Sequence, residues 1–380
     1  MADQFSQVTT KGYGNRIVDS IKGIAFGILL FLASFAVLYW NEGRVNLASV
    51  AVNAVEAPVA SVDSTLEGKQ VYVTGAATAG GVLGDGLYLK DGEYVAVNRN
   101  VEMYAWVEQQ SSSSDTNMGG SETTTTTYSY SMDWTSAPSS TGDFQVPEGH
   151  SNPAKTLDGQ SYYATGVKVG AYDVDVAKVD LPEMSKVTLS ADNTSLSSGY
   201  LAGGFVYLPS NAANSFEAPG IGDMRVSYTA LNKGVNVTVF GKQEGSAINA
   251  FIDFDNDNAK VYRMFTGGRD EAIATLGSEY TMMAWILRGV GFLMMWIGLS
   301  MLFGPLSVLL DVVPFFGKLS RGIVGLATFL VALVLSGVTI LISMILHNVI
   351  AIVVSVVVVI GIAAYILKKK GSAGPTVVKA

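Results

Sequence analysis

Four uncharged apolar stretches interrupt an otherwise polar chain, at 23–40, 289–310, 322–346 and 349–367. Each is close to the roughly 20 residues that carry a helix across a hydrocarbon core about 30 Å thick. A helix is the natural form there, because it satisfies its own backbone hydrogen bonds where lipid cannot. Tyr39, Trp40 and Trp285 stand where interfacial aromatics belong. With Trp285 included, the predicted transmembrane helices are 23–40, 285–310, 322–346 and 349–367. The pattern therefore predicts a membrane protein with four transmembrane α-helices, one N-terminal and three C-terminal. His347 and Asn348 alone separate the last two, which makes them an antiparallel hairpin. Arg288 falls near the outer end of the second span, as a pathway-lining charge or as an arginine snorkelling to the interface. Gly304 and Pro305 loosen the end of that helix, and Gly298, Ser300, Gly304, Ala332 and Ser336 allow close helix packing.

Between the first and second spans the period changes. Residues 41–284 hold short β-prone runs at 70–74, 101–107, 162–169, 205–208, 224–229 and 235–240, separated by glycine or aspartate turns. In the run 101–107, Val101, Met103 and Ala105 alternate with Glu102, Tyr104 and Trp106, so the two sets face opposite sides of a strand. Residues 44–56 read as a continuation of the first helix, and 269–284 as a helix leading into the second span. This predicts a large α+β domain with a mostly antiparallel sheet. Within it, 109–127 is Ser/Thr-rich low complexity and reads as a mobile loop.

Charge adds a direction. The net charge is −8, but residues 41–284 carry 29 acidic and 14 basic residues. The flanks 1–22, 311–321 and 368–380 together carry 9 basic and 3 acidic. Lys11, Arg16, Lys22, Lys318, Arg321 and Lys368 to Lys370 all reach the cytoplasm in one arrangement. Both termini and the loop 311–321 are then inside, and 41–284 is extracytoplasmic: periplasmic at a bacterial inner membrane, lumenal in a eukaryote. Ser34 and Ala36 form a weak cleavage pattern, but the long basic region and full-length apolar run favour an uncleaved anchor. No basic groove marks the soluble part, which argues against nucleic acid.

Candidate chemistry is thin. There are no cysteines, and the two histidines, His150 and His347, are far apart in sequence. Asp253, Asp255 and Asp257 open like a calcium loop, but Asn258 and Met264 stand where glycine and glutamate are required. Gly80, Gly81, Gly84 and Gly86 precede a strand-like 87–89 and read as a hairpin turn rather than a phosphate cradle. No G-x-S-x-G elbow occurs. The expectation is a protein that is not an enzyme and holds no cofactor and no metal.

The order of segments carries a resemblance. Trp40-Asn41-Glu42-Gly43-Arg44 closes the first span. Gln70-Val71-Tyr72-Val73 and Asn98-Arg99-Asn100-Val101-Glu102-Met103-Tyr104-Ala105-Trp106 follow. Then come Tyr128-Ser129-Tyr130, Trp134, Asn152-Pro153, Gly222-Asp223-Met224-Arg225-Val226-Ser227-Tyr228 and Gly241-Lys242-Gln243, before three closing spans. This resembles the LUMA, or transmembrane protein 43, family over nearly the whole chain. The resemblance implies one anchor, a large lumenal or periplasmic domain and three closing helices. It implies no catalytic residues, since the family has none established. Its eukaryotic members look like oligomeric scaffolds of the endoplasmic reticulum and inner nuclear membrane, linked to lamins and emerin, partners that a bacterial member lacks. The cysteine-free chain suggests a bacterial member. The residues that carry the motifs, as structural or interaction residues, are Trp40, Asn41, Glu42, Gly43, Arg44, Glu102, Met103, Tyr104, Trp106 and Trp134, with Arg288 as the membrane-interface charge. The expected function is a self-associating membrane scaffold that organises lipids or partner proteins. A lipid or hydrophobic-ligand binding module at the membrane surface and an oligomeric channel or transporter are the alternatives. Membrane lipids, a second copy of the chain and other membrane proteins are the expected partners.

Overall fold

Alternation along residues 95–105 sets the soluble core. Val95, Val97, Val101, Met103 and Ala105 are buried, as are Val226 and Tyr228 on the strand beside them. Burying such side chains is worth roughly 1.5–3 kcal/mol each, which fixes the register, because a one-residue slip would turn every one of them outward. Met103 pairs with Met224, Glu102 with Arg225 and Val101 with Val226, antiparallel throughout.

The computed structural model describes residues 3–347. The predicted fourth span, 349–367, and the tail 368–380 lie outside them. The chain divides into two compact units. The first takes Val45–Ser113, Thr124–Tyr280 and the chain up to Val8; the second takes Thr9–Arg44, Ser114–Thr123 and the chain from Thr281 onward.

The first unit is built on two sheets. One has eight strands, with Asp3–Lys11, Glu122–Thr135, Tyr94–Thr116, Met224–Asn232, Phe205–Leu208 and Tyr200–Ala202 in that spatial order. The other has seven, centred on Asn236–Glu244 paired antiparallel with Gln70–Thr78. Among the described residues parallel pairing is limited to short contacts, Ala247–Asn249 with Tyr172–Val174, Val55–Glu56 with Gln70–Thr78, and the single bridge of Asp180 to Arg263. The mostly antiparallel, sheet-rich domain read from the sequence is thus present. The run 162–169 is two strands rather than one, broken around Gly166 at φ +60°. Residues 87–89 form only a single bridge, Leu89 to Thr194.

Helices finish the first unit and make most of the second. Helix α1, Tyr13–Glu42, begins ten residues before the apolar stretch, since its charged flank is also helical. It does not continue through 44–56. The chain breaks after Gly43, and a short helix α2, Leu47–Ala51, restarts where the Asn46 side chain accepts the Ala48 amide. Helix α3, Arg269–Leu302, is continuous. Its first turns bury Ala272 and Leu276 with Phe240, Phe265 and α2. The second span is shorter than expected, because Phe303 ends α3 and helix α4, Gly304–Leu310, restarts with Pro305 in its first turn. Helix α5 is Pro314–Leu346.

Among the described residues three helices are long and apolar enough to cross a membrane, and the chain is an integral membrane protein. In the second unit α1 and α3 touch backbone to backbone. A Cβ on Gly298 would stand 2.8 Å from the Gly27 carbonyl oxygen and 2.8 Å from the Phe31 nitrogen. Trp296 Nε1 donates to Gly325 O at 2.9 Å, and Ser300 and Thr328 share a hydroxyl bond of 2.8 Å, tying α3 to α5. Ala332 and Ser336 are buried, as their small size suggested.

Residues 109–127, expected as a mobile loop, are instead the ends of two paired strands with a turn at 117–120. Serine and threonine cannot fill a core, but β-branched threonine suits a strand, and a third strand, Asp3–Lys11, lies alongside.

Candidate functional site

The most specific motif forms a face in the first unit. Glu102 and Arg225 are cross-strand neighbours, and Arg225 Nε donates to Glu102 Oε2 at 2.7 Å. The guanidinium lies 4.6 Å from the ring centres of both Trp134 and Phe205. Tyr104 packs on Trp134 at 5.3 Å. Pairing with Glu102 fixes the cation over the two rings, where the ring quadrupole attracts it. A polar groove of about 660 Å³ adjoins this face, with Glu102, Lys155, Asp158, Lys186 and Phe205 in its walls. Trp106 belongs elsewhere. Its backbone amide and carbonyl both bond the Asn152 side chain, at 2.8 and 3.0 Å. Its ring meets His150 edge-on at 4.8 Å, and His150 stacks on Tyr130 at 3.8 Å with Nε2 3.2 Å from Asp3 Oδ2. Met103 points to the opposite, buried side. The motif therefore joins Glu102, Tyr104 and Trp134 at one place, sends Trp106 to another and spends Met103 on the core.

Two buried carboxylates, Asp85 and Asp223, carry no sequence signal of their role beyond sitting in turns. Asp223 accepts from Tyr207 Oη, the Ser210 amide and hydroxyl, Asn214 Nδ2 and the Gly220 amide, at 2.5 to 2.9 Å. Asp85 accepts the amides of Leu87, Tyr88 and Leu89 on one oxygen, and Arg99 and Tyr228 on the other. The glycine-rich stretch around Asp85 is thus a pinned turn. For both carboxyls burial pushes the pKa up, but the tyrosine hydroxyls and the remaining donors outweigh it and hold them below the usual range. Burial and the facing carboxylates raise the Tyr207 and Tyr228 hydroxyls in turn. A depressed folded pKa gives stability that is present above the unfolded value, near 3.9, and lost as pH falls through the folded one. The melting temperature of the detergent-solubilised protein should hold from about pH 7 to 5 and drop steeply below about pH 4. A flat profile down to about pH 2 would show that these carboxylates add nothing.

In the second unit, W-N-E-G-R is a clamp at one end of the helices. Asn41 is fully buried and donates to the Ala284 carbonyl at 3.1 Å. Arg44 Nε donates to Asn41 Oδ1 at 3.2 Å. Glu42 takes both Nε and Nη2 of Arg288 at 2.8 Å, with Arg288 5.0 Å from the Trp285 ring centre. Arg288 is therefore not a lone snorkelling charge; it is held bidentate by a carboxylate only 6% exposed. Gly43 leaves room for the His347 ring, which a Cβ there would push aside and which also packs 4.5 Å from Tyr39. Trp40 is exposed and takes no part in the clamp.

The other end of α1 holds a second cluster. Asp311, fully buried, receives Arg16 Nη2 at 2.5 Å and Arg321 Nη1 at 2.6 Å. Arg16 also reaches Glu122 at 3.0 Å and the Gly120 carbonyl at 2.5 Å, and Arg321 Nη2 donates to Thr116 at 3.3 Å. Beside them a groove of about 580 Å³ runs between Met301, Val308 and Val324, with Arg16, Glu122 and Arg321 at one edge. Arg16 and Glu42 are 26 positions apart on one helix, about 39 Å along its axis. Residues 114–123 therefore lie at the Arg16 end of α1. Asp311 was counted only as a loop charge, and the strand tip only as a loop; no local pattern joins the two.

The model of the Transmembrane protein 43 family matches residues 103–349. Transmembrane protein 43 of rat is 27% identical over 336 residues, covering 84% of this chain and 82% of the relative. The human protein of that name gives the same figures. The fruit-fly homologue is 27% identical over 288 residues, covering 72% of this chain and 75% of its own. No solved structure matches the chain.

Proposed function

The chain belongs to the transmembrane protein 43 family, and on that footing we propose that it is a non-enzymatic, self-associating membrane scaffold that organises lipids or partner proteins. One observation carries the reading: the motif residues hold elements together. Glu102 is committed to Arg225, and Asn41 and Glu42 to Ala284 and Arg288. Groups so engaged suit a platform that keeps its shape. The Lys/Arg excess supports a cytoplasmic Arg16 end, and in a bacterium the membrane would then be the inner one. A channel draws no comparable support, since Arg288 is neutralised by Glu42.

A second reading rests on the groove beside Met301, Val308 and Val324. An apolar cleft with charged groups at one edge suits an acyl chain with a polar head. One experiment addresses both readings. Native mass spectrometry from lipid nanodiscs, with light scattering in detergent, should give a homo-oligomer, and retained lipid supports the second reading. A strictly monomeric species in nanodiscs would overturn the scaffold.

A further inference from the structure

We propose that copies of this chain join edge to edge through the three-stranded ribbon of Asp3–Lys11, Glu122–Thr135 and the far half of Tyr94–Thr116. This rests on the self-associating reading and names its interface.

The ribbon has two open edges. Asp3–Lys11 ends the strand order of its sheet. On the other side, Tyr94–Thr116 is paired with Met224–Asn232 only as far as Met103. Tyr104 then exchanges bonds with Asp223 and Gly222, and Asn152 caps Trp106. Beyond Trp106 no strand among the described residues continues on that edge. Backbone groups alternate along a strand. Tyr104 and Trp106 face this edge, so Glu108, Gln110 and Ser112 face it too. Gln109 and Asn117 face the other way, toward the hairpin partner.

Monomeric proteins guard such edges with lysine, proline, bulges or very short strands. Here neither edge is guarded. Gln4 to Thr10 and Gln109 to Ser114 contain no charge and no proline. The ends of both runs are charged, but those charges are already paired within the copy: Lys11 with Asp19 on the first edge, and Asp115 with Lys318 at 3.9 Å on the second. At the other end Asp3 is held by His150, and Glu108 by Tyr130 and the Gln145 amide.

Direction decides the occupant. Ser6 bonds Thr127 and Thr10 bonds Thr123, so the first strand is antiparallel to Glu122–Thr135. Ser112 bonds Thr126 and Asn117 bonds Ser121, so Tyr94–Thr116 is antiparallel to it as well. The two edge strands therefore run the same way. A second copy turned about an axis along the strands lays its first edge on this second edge. That contact is head-to-tail, and repeating it builds a ring where the rotation closes and a filament where it does not. Each copy then satisfies the edge that its neighbour leaves open.

The absence of cysteine makes the test clean. Within one copy the two edge strands are separated by a third, about 9.6 Å apart, too far for a disulfide. Gln7→Cys is combined with Gln110→Cys, Ser112→Cys or Ser114→Cys in full-length protein, oxidised in nanodiscs and run without reductant. At least one pair should give a ladder beyond the dimer, and each single variant should not. Ser112→Pro removes an amide that faces only the open edge. It should dissociate the oligomer in light scattering while leaving the monomer's melting temperature unchanged. An oligomer that survives Ser112→Pro and crosslinks at none of the three positions would overturn this interface while leaving self-association intact. A wild-type protein that is monomeric throughout would overturn both.

Discussion

Replacing Asp223 by alanine should destabilise the first unit by about 3–5 kcal/mol, among the largest single-residue effects in the molecule. The carboxylate is fully buried and takes five donors, two of them backbone amides. Removing it strands the buried Tyr207 hydroxyl and unpins the partly exposed Ser210, Asn214 and Gly220 donors, and each donor left unmet costs on the order of 1–3 kcal/mol, less what water and relaxation recover. The effect has a place as well as a size. Ser210, Asn214 and Gly220 share the one acceptor, so the loop they bound should become the first site of cleavage in limited proteolysis. Asp223→Asn keeps an acceptor oxygen and should lose less. A fall below about 1 kcal/mol for the alanine variant would show that the loop repacks without its anchor.

Gly298→Val should be the most damaging change in the helices. Its Cβ would fall 2.8 Å from two backbone atoms of α1, the Gly27 carbonyl oxygen and the Phe31 nitrogen. Neither can move without the helix moving, so α1 and α3 must separate. Overpacking costs typically 1–3 kcal/mol, and a backbone obstacle puts this case at about 3. The same exchange at Gly289, where nothing lies within 4 Å, should stay within about 0.5 kcal/mol. Melting in detergent, read by gel filtration, compares the two directly. Equal stability of both variants would refute the close crossing.

The sequence was most legible where a pattern is local. Alternation of Val101, Met103 and Ala105 with Glu102, Tyr104 and Trp106 reveals both the strand and its faces, because period two needs no knowledge of the neighbour. The apolar stretches reveal the spans for the same reason, although charged first turns made α1 and α5 longer than their apolar cores. Partners were illegible. Glu102 finds Arg225 and Glu42 finds Arg288 across 123 and 246 positions, and nothing near either residue announces the other. Arg288 is consequently legible from the sequence only as a pathway-lining or a snorkelling charge. The Ser/Thr-rich stretch misled for a different reason. Composition measures what a segment can bury, whereas these strands are held by their ladder and by a strand from the N-terminus.

The twofold arginine clasp on Asp311 bears on how the protein is made. Arg16 leaves the ribosome 295 residues before its carboxylate does. A chain is threaded into the membrane from its N-terminus, so α1 must be inserted while Arg16 is still an open charge. Lysine and arginine excess then sets its direction, to which acidic residues contribute little. Only when the residues around 311–321 are synthesised do Arg16 and Arg321 converge on Asp311. Until then Arg16 has only Glu122 and the Gly120 carbonyl to hold it, so a chain cut short before Asp311 carries a half-latched anchor.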